Sequence, residues 1–417
     1  METTSFQILR GRDAKLFIAL CTLVYFTSYI TRINYGAVIT ELIGSLDITK
    51  SGAGLVSTAA FFTYGAGQIV SGVIGDRVRP GRMIAVGLAA TSVCNLGMTL
   101  CRGVLPMALL WGVNGLCQAM LWPPLVKLMA ENLSSSDYSR ACVMVSAGSS
   151  VGTIAVYLSA PLLIGIGGWQ MVFAVSAVCG IAMAIIWSRS AVRLRLNSRL
   201  QSIRNDAPRS ERGRLGNEAA LMLAFICAAI VMQGILRDGV TTWMPTFISE
   251  RFGLSAKLSI LTGVALPLFS IFSFNLAAYM QKRLGSELLC SMILFAGGGS
   301  SALAMRLFGF GDGAASAALC VLMMSILTGC MHGINLMLVS RTPAYFSRGG
   351  KISTVSGLVN AFTYVGSALS SYCFAALSEG FGWGVTVLIW AVIALIGAVI
   401  CSLCRRRWDA FKRTSVF

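Results

Sequence analysis

The sequence contains few charged residues and a single histidine. Charged residues make up 12% of its 417 residues, hydrophobic residues make up 56%, and the mean hydropathy is +0.76. This composition excludes an ordinary soluble domain and is typical of a chain that crosses a membrane many times. The sequence also lacks a metal-ligand cluster, a nucleophile–base pair and a nucleotide-binding loop in a helical context. We therefore expect no enzyme activity, no metal and no cofactor.

The excess of positive charge does not indicate nucleic-acid binding. Basic residues outnumber acidic ones by 33 to 16, but they lie mostly in alternate short loops, as the positive-inside rule predicts. Both termini are therefore expected in the cytoplasm, and the first apolar run is long enough to span the membrane without being cleaved. The 13 cysteines are scattered through apolar segments without a metal-binding spacing, which favours small buried residues in a reduced compartment.

Apolar runs long enough to cross a bilayer recur twelve times along the sequence. Their approximate bounds are 15–38, 52–75, 82–101, 105–130, 139–165, 168–188, 218–248, 257–280, 286–309, 314–340, 350–378 and 382–404. This pattern predicts an all-α integral membrane protein with two six-helix halves, residues 1–188 and 217–417. The segment 189–216 between them contains eight arginines and is interpreted as a cytoplasmic linker whose charge fixes the topology. A lipid-facing basic helix over its first part is the alternative.

One arginine interrupts the first apolar run of each half. Arg32 lies in "YFTSYITRINYGAV", and Arg237 lies at the corresponding place in "VMQGILRDGVTTWMPTFI". A charge in the middle of a membrane helix costs about 2.5–3.5 kcal/mol, so such residues are usually functional. Neither arginine has an acidic residue one helical turn away, although Asp238 follows Arg237 directly. The sequence therefore predicts two cations without acidic partners. Tyr25 and Tyr29 precede Arg32 by seven and three residues, so all three face one side of the helix.

The loop after the second predicted helix, "GVIGDRVRPGRM", resembles the loop signature of the major facilitator superfamily. Gly72 permits close approach of helices, Asp76 caps a helix or forms an ion pair, and Arg77 and Arg82 hold the cytoplasmic side. Two parallel six-helix repeats with a central loop and a site at mid-membrane are the architecture of this superfamily.

Three further stretches make the chain similar to the organophosphate:phosphate antiporter family. They are "LWPPLVKLMAENL" in the fourth predicted helix, "LRDGVTTWMPTF" in the seventh, and the small-residue stretch from Ser356 to Trp383. The resemblance implies that Arg32 and Arg237 clamp a phosphate group, whose oxygens match the planar guanidinium fork. The other positions that it assigns to the substrate site are Tyr25, Tyr29, Lys127, Ser149, His332 and Tyr364.

The resemblance predicts a transporter that moves a small phosphorylated or anionic organic metabolite by alternating access, in exchange for inorganic phosphate. We expect a monomer in the inner membrane of a bacterial cell, in contact with lipid and without nucleic acid. Asp238 and His332 are additional candidates for coupling transport to protons, which keeps open a proton-coupled symporter of a sugar acid. A buried packing role for His332 is equally compatible with the sequence. A sensor of phosphate esters that does not transport is the third reading.

Small residues recur at helical spacing in the fifth predicted helix. Gly148, Gly152, Ala155 and Ser159 follow the small-xxx-small pattern that brings membrane helices into backbone contact. We interpret this stripe as a helix-packing surface and not as a ligand contact.

Overall fold

The computed structural model describes residues 8–48, 50–194, 217–253, 262, 264–309, 311–346 and 352–414. Over these residues all regular secondary structure is helical, which confirms the predicted all-α class. Most of the predicted linker, residues 195–216, lies outside the described residues, so the boundaries of the two halves remain a prediction.

The described chain forms two compact units. The first contains the helices up to residue 193 together with the segment Pro343–Ala361, and the second contains the remaining helices. The helices of the first unit are α1 (Gly11–Leu46), α2 (Lys50–Arg77), α3 (Pro80–Met98), α4 (Val104–Ala119), α5 (Trp122–Asn132) and α6 (Ser135–Arg193). Those that follow are α7 (Asn217–Phe252), α8 (Ala265–Leu284), α9 (Glu287–Phe308), α10 (Ala314–Asn335) and α11 (Ile352–Thr414). A π-helical turn (Leu336–Arg341) and a 3₁₀ turn (Thr342–Phe346) extend α10.

Glycines divide the two longest helices into two spanning segments each. In α6 the helix is interrupted at Gly167 and Gly168, where Gly168 has φ 69°, and in α11 it is interrupted at Gly382, where φ is 75°. Side chains other than glycine rarely adopt these angles, so glycine lets the chain reverse with almost no loop. The break between α4 and α5 has a different cause. Pro123 and Pro124 occupy the first turn of α5, where their missing N–H groups leave no hydrogen bond unmade.

These breaks reconcile the described helices with the predicted number of membrane crossings. Among the described residues, eight stretches are long and apolar enough to span a bilayer on length and composition alone, and one of them, Ser135–Ala191, contains both segments of α6. Helices α2, α3 and α8 occupy three further predicted spans, with 28, 19 and 20 residues. The described helices thus occupy all twelve predicted spans.

Aromatic side chains fill the core at one end of the first unit. Trp111 of α4 packs against Tyr35 of α1 and Phe173 of α6, with ring centroids 5.7 Å and 5.6 Å away. All three side chains are at most 2% exposed. Because lipid tails are as apolar as these rings, the cluster gains its stability from close packing and not from removal of water.

In the second unit, a buried carboxylate fastens the end of α11. Glu287, at the start of α9, accepts hydrogen bonds from Trp408 Nε1 at 3.1 Å, from Lys412 Nζ at 3.0 Å and from Gln281 Nε2 at 3.1 Å. Since Glu287 is fully buried, these donors offset the cost of removing its charge from water. The last turns of α11 are therefore joined to the connection between α8 and α9.

Candidate functional site

Arg32 lies among aromatic rings in the first unit. Its guanidinium carbon is 4.4 Å from the ring centroid of Tyr29 and 4.8 Å from that of Tyr64 on α2. Tyr25 extends the row, because its ring is 5.3 Å from that of Tyr29 and 4.7 Å from that of Trp122. Cation–π contacts of this kind contribute about 0.5–2 kcal/mol each and hold the guanidinium by its face. The structure thus brings Tyr25, Tyr29 and Arg32 together, as their spacing predicts.

The neighbouring face of α1 is fixed by buried polar side chains. Gln118 Nε2 donates to Thr31 Oγ1 at 2.7 Å, and Asn95 Nδ2 donates to the Thr31 carbonyl at 2.9 Å. Gln118 also accepts from Ser28 Oγ at 2.8 Å, while Asn34 donates to Asn95 Oδ1 at 2.6 Å. In an apolar setting such interhelical hydrogen bonds contribute about 0.6–2 kcal/mol each. They set the rotation of α1, and with it the direction in which the next residue, Arg32, projects.

Close backbone packing joins α1 to the first segment of α6. A Cβ atom on Gly148 would lie 2.8 Å from the Thr22 methyl group, and one on Gly152 would lie 2.8 Å from the Phe26 carbonyl oxygen. These contacts confirm the predicted packing role for Gly148 and Gly152. Ser149 lies beside this contact, and its hydroxyl group donates to the Ser146 carbonyl at 2.6 Å. Its predicted contact with substrate remains untested.

The loop motif joins α2 to the start of α11. Asp76 accepts hydrogen bonds from the backbone N–H groups of Ser353 at 3.0 Å and Thr354 at 2.7 Å, and from Thr354 Oγ1 at 2.6 Å. A carboxylate at this place satisfies N–H groups that the helix itself leaves without partners and interacts favourably with the helix dipole. A Cβ atom on Gly72 would lie 2.8 Å from the Ser353 carbonyl oxygen, so glycine is required for this approach. Arg77 and Arg82 are exposed.

Lys127 belongs to the same cluster. Its ammonium group donates to the Gly75 carbonyl at 3.0 Å and lies 3.6 Å from Asp76 Oδ1, with the residue 3% exposed. The resemblance assigns Lys127 to the substrate site, whereas its described contacts are with the loop motif.

In the second unit, Arg237 forms an ion pair with its neighbour in sequence. Its Nε and Nη2 donate to the two carboxylate oxygens of Asp238 at 2.6 Å and 2.8 Å, and Asp238 also accepts from Ser367 Oγ of α11. The prediction of a cation without an acidic partner is therefore wrong for Arg237. Adjacent positions on a helix project in different directions, but the long arginine side chain bends back to reach a carboxylate in surroundings where a charge-assisted bidentate pair is strong.

Backbone contact between α7 and α11 positions Ser367 beside this pair. Gly234 of α7 lies against the Thr363 carbonyl, and Gly366 of α11 lies against the Val231 carbonyl, so that side chains at these glycines would collide with the partner helix. Asp238 lies one turn after Gly234, and Ser367 directly follows Gly366. The two side chains therefore face each other.

The remaining predicted site residues of the second unit are partly buried. His332 on α10 meets the Phe274 ring edge-on, with a centroid separation of 5.7 Å. Tyr364 lies on α11 three residues before Ser367. Their contacts with substrate or protons remain predictions.

Sequence reasoning missed Tyr64 and Ser367. Tyr64 is one of ten tyrosines, and Ser367 lies in a stretch of small residues that packing alone would explain. Helical spacing gives only a partial indication that Tyr64 faces the protein interior, because it lies two turns before Gly72 on α2. Nothing in the sequence identifies Ser367 as a partner of Asp238.

Comparisons with known proteins identify the family. Residues 21–349 match the Major Facilitator Superfamily. A probable hexose phosphate transport protein of Chlamydia pneumoniae is 22% identical over 411 residues, covering 89% of this chain and 87% of that protein. The membrane sensor protein UhpC of Salmonella typhimurium is 24% identical over 405 residues, with coverage of 90% and 88%. The predicted resemblance to the organophosphate:phosphate antiporter family is thereby confirmed.

A solved structure extends the comparison to the fold. The crystal structure of a bacterial homologue of the iron transporter ferroportin, in an outward-facing state, superposes with a TM-score of 0.73 at 11% identity. The match covers 93% of this chain and 99% of that one, and at this identity it concerns the fold alone. Since the superfamily match covers more than half of the sequence, the chain belongs to the major facilitator superfamily.

Proposed function

We propose that the protein is a secondary transporter that exchanges a small phosphorylated organic metabolite for inorganic phosphate. The observation that carries the proposal is the arginine in the first helix of each half. Arg32 is held over tyrosine rings, and Arg237 is held in a bidentate pair. Relatives named as hexose phosphate transport proteins support a phosphorylated substrate.

In this proposal Arg32 and Arg237 bind the phosphoryl group of one substrate molecule. A guanidinium group donates two parallel hydrogen bonds to a phosphate, which makes arginine the preferred residue for this anion. Tyr25 and Tyr29 contact the organic part, and Ser149, His332 and Tyr364 are the further candidate contacts. Inorganic phosphate satisfies the same two arginines, which explains exchange without another coupling ion.

Alternating access requires contacts that form in one state and break in another. We propose that the contact of Asp76 and Lys127 with the start of α11 is one of these. Its hydrogen bonds are charge-assisted and few, so that they can open and close. Lys127 then acts on the rate of the conformational change and does not contact substrate. Residues 1–188, 189–216 and 217–417 are proposed as the moving halves and their linker.

The distribution of basic residues supports the proposed orientation. Arg77 at the end of α2, Arg79 in the connection and Arg82 in the first turn of α3 lie close together in sequence, and Arg405, Arg406 and Arg407 lie near the end of α11. Because short basic loops stay in the cytoplasm, both termini are proposed to be cytoplasmic, in the inner membrane of a bacterium. We propose a monomer as the working unit.

A specific observation favours a second candidate, proton-coupled symport of an organic acid. Asp238 accepts both hydrogen bonds from the guanidinium group of Arg237, so an incoming anion must compete with Asp238 for these donors. Protonation of Asp238 would remove this competitor, and proton binding would then promote substrate binding. In the exchange reading, the same carboxylate returns Arg237 to a neutral pair whenever the substrate leaves.

Reconstitution into liposomes separates these candidates. Vesicles are loaded with labelled inorganic phosphate, and release is measured after addition of hexose phosphates, triose phosphates or sugar acids, with and without a pH gradient. Release by a phosphorylated sugar at equal pH supports exchange. Uptake of a sugar acid that depends on a proton gradient, without phosphate release, supports symport. Tight binding of a phosphate ester with no flux in either assay would contradict both candidates and favour a sensor.

A further inference from the structure

A groove separates α3 from the second segment of α6 on the surface of the first unit. It has a volume of about 490 Å³, and its lining is almost entirely apolar, with Val86, Ile181 and Ile185 among its residues. These three side chains are 55%, 45% and 48% exposed. Both helices belong to the predicted membrane crossings, so side chains exposed along them face lipid tails.

One end of the groove is strongly basic. Ser188 and Arg189 complete its lining on α6. On α3, the exposed Arg82 precedes Val86 by four residues and Ala89 by seven, so it shares their face. Trp187 Nε1 donates to the Gly81 carbonyl at 2.8 Å, which brings the positions next to Arg82 and Arg189 together at the same end.

The positive charge at this end has no acidic counterpart on the two helices. Neither α3 nor residues 169–193 contains an aspartate or a glutamate. The nearest acid along the chain, Asp76, accepts from the start of α11 and lies beside Lys127. Arg193, exposed one turn beyond Arg189, adds a third positive charge.

We propose that this groove binds an anionic glycerophospholipid, with an acyl chain along Val86 and Ile185 and the phosphate of its head group between Arg82 and Arg189. An apolar groove that ends in two arginines matches a molecule with a long tail and an anionic head. Basic pockets between membrane helices on the cytoplasmic side are known binding sites for such head groups. A soluble phosphate would bind the arginines but would not contact the apolar lining of the groove, whereas a lipid would contact both.

Native mass spectrometry of the delipidated protein tests the proposal. Phosphatidylglycerol and phosphatidylethanolamine with identical acyl chains are titrated into the wild type and into the double variant Arg82→Gln/Arg189→Gln. An arginine near an anionic head group contributes about fivefold to affinity, so the double variant should bind phosphatidylglycerol about 25-fold more weakly. Binding of phosphatidylethanolamine, whose ammonium group offsets the charge of its phosphate, should fall much less.

The matched control removes two exposed arginines elsewhere, as Arg406→Gln/Arg407→Gln, and should retain the wild-type affinity. The variant Ala89→Trp keeps both arginines and fills the groove, and it should also lose the lipid. Glycerophosphate at the same concentration should not displace it. Equal affinity of the wild type for the two lipids, an equal loss in the control, or displacement by glycerophosphate would overturn the proposal.

Discussion

The two arginines occupy corresponding places in sequence, but their surroundings differ. Arg32 contacts the rings of Tyr29 and Tyr64, which pack against its guanidinium group. Arg237 shares both carboxylate oxygens of Asp238, which brings the pair to a formal charge of zero. An internal repeat can therefore preserve the position of a residue while changing the side chains around it. We infer that Arg237 exchanges its carboxylate partner, Asp238, for the substrate.

The largest effect is expected from loss of either arginine. Removal of one partner of a charge-assisted contact that is shielded from water costs about 3–5 kcal/mol. Arg32→Ala and Arg237→Ala should each lower phosphate affinity at least about 100-fold in a binding assay on folded protein. Arg32→Lys and Arg237→Lys keep the charge and lose the planar fork, so they should retain part of the binding. Normal transport by either alanine variant would contradict a role for that arginine.

The second-largest effect is expected on the stability of the protein when the Arg237–Asp238 pair is broken. Arg237→Ala leaves Asp238 with the Ser367 hydroxyl group as its remaining described partner, in a place where the aspartate side chain is 31% exposed. We expect a loss of about 2 kcal/mol in the free energy of unfolding, between the values for exposed and buried pairs. The double variant Arg237→Ala/Asp238→Ala should recover most of it without recovering transport. Thermal unfolding of Arg237→Ala and of the double variant in one detergent would measure both changes.

Neutralising Asp238 tests whether it competes with phosphate for Arg237. Asp238→Asn keeps the shape of the side chain and removes the competitor for Arg237, so phosphate affinity at neutral pH should rise about tenfold. Asp238→Glu is the control that retains the carboxylate. If Asp238→Asn binds phosphate no more tightly than the wild type at neutral pH, Asp238 does not compete for Arg237.

The smallest effect concerns the tyrosine rings around Arg32. Tyr64→Leu removes a cation–π contact, which corresponds to a loss of about fivefold in phosphate affinity. Tyr64→Phe keeps the ring and should bind almost as the wild type does. Equal losses in the two variants would instead assign the effect to the hydroxyl group.

The fold was largely predictable because its signals are local. Long apolar runs mark the segments that lie in lipid, and basic loops mark those that lie in water on one side. The pattern around Asp76 predicted a capping or ion-pairing role, and the structure shows this role in its contacts with Ser353 and Thr354. The glycine reversals at Gly168 and Gly382 coincide with the first residues of the predicted runs 168–188 and 382–404.

The partners in the sites were less predictable because they come from distant segments. Ser367 reaches Asp238 only because glycines bring α7 and α11 into contact, and Gln118 reaches Thr31 from another helix. The Arg237–Asp238 pair has a different origin. Helical geometry argues against contact between adjacent side chains, and the flexibility of arginine together with the weak screening of charge in the membrane reverses that expectation.

Phosphate binding to lysine variants tests whether Arg32 and Arg237 hold the same anion. Calorimetry would give the affinity and stoichiometry of inorganic phosphate for the wild type, Arg32→Lys, Arg237→Lys and the double variant. If both arginines hold one anion, the stoichiometry is one and each single variant weakens that one binding event. Two phosphates per protein, with each variant weakening only one of the two sites, would contradict a shared site.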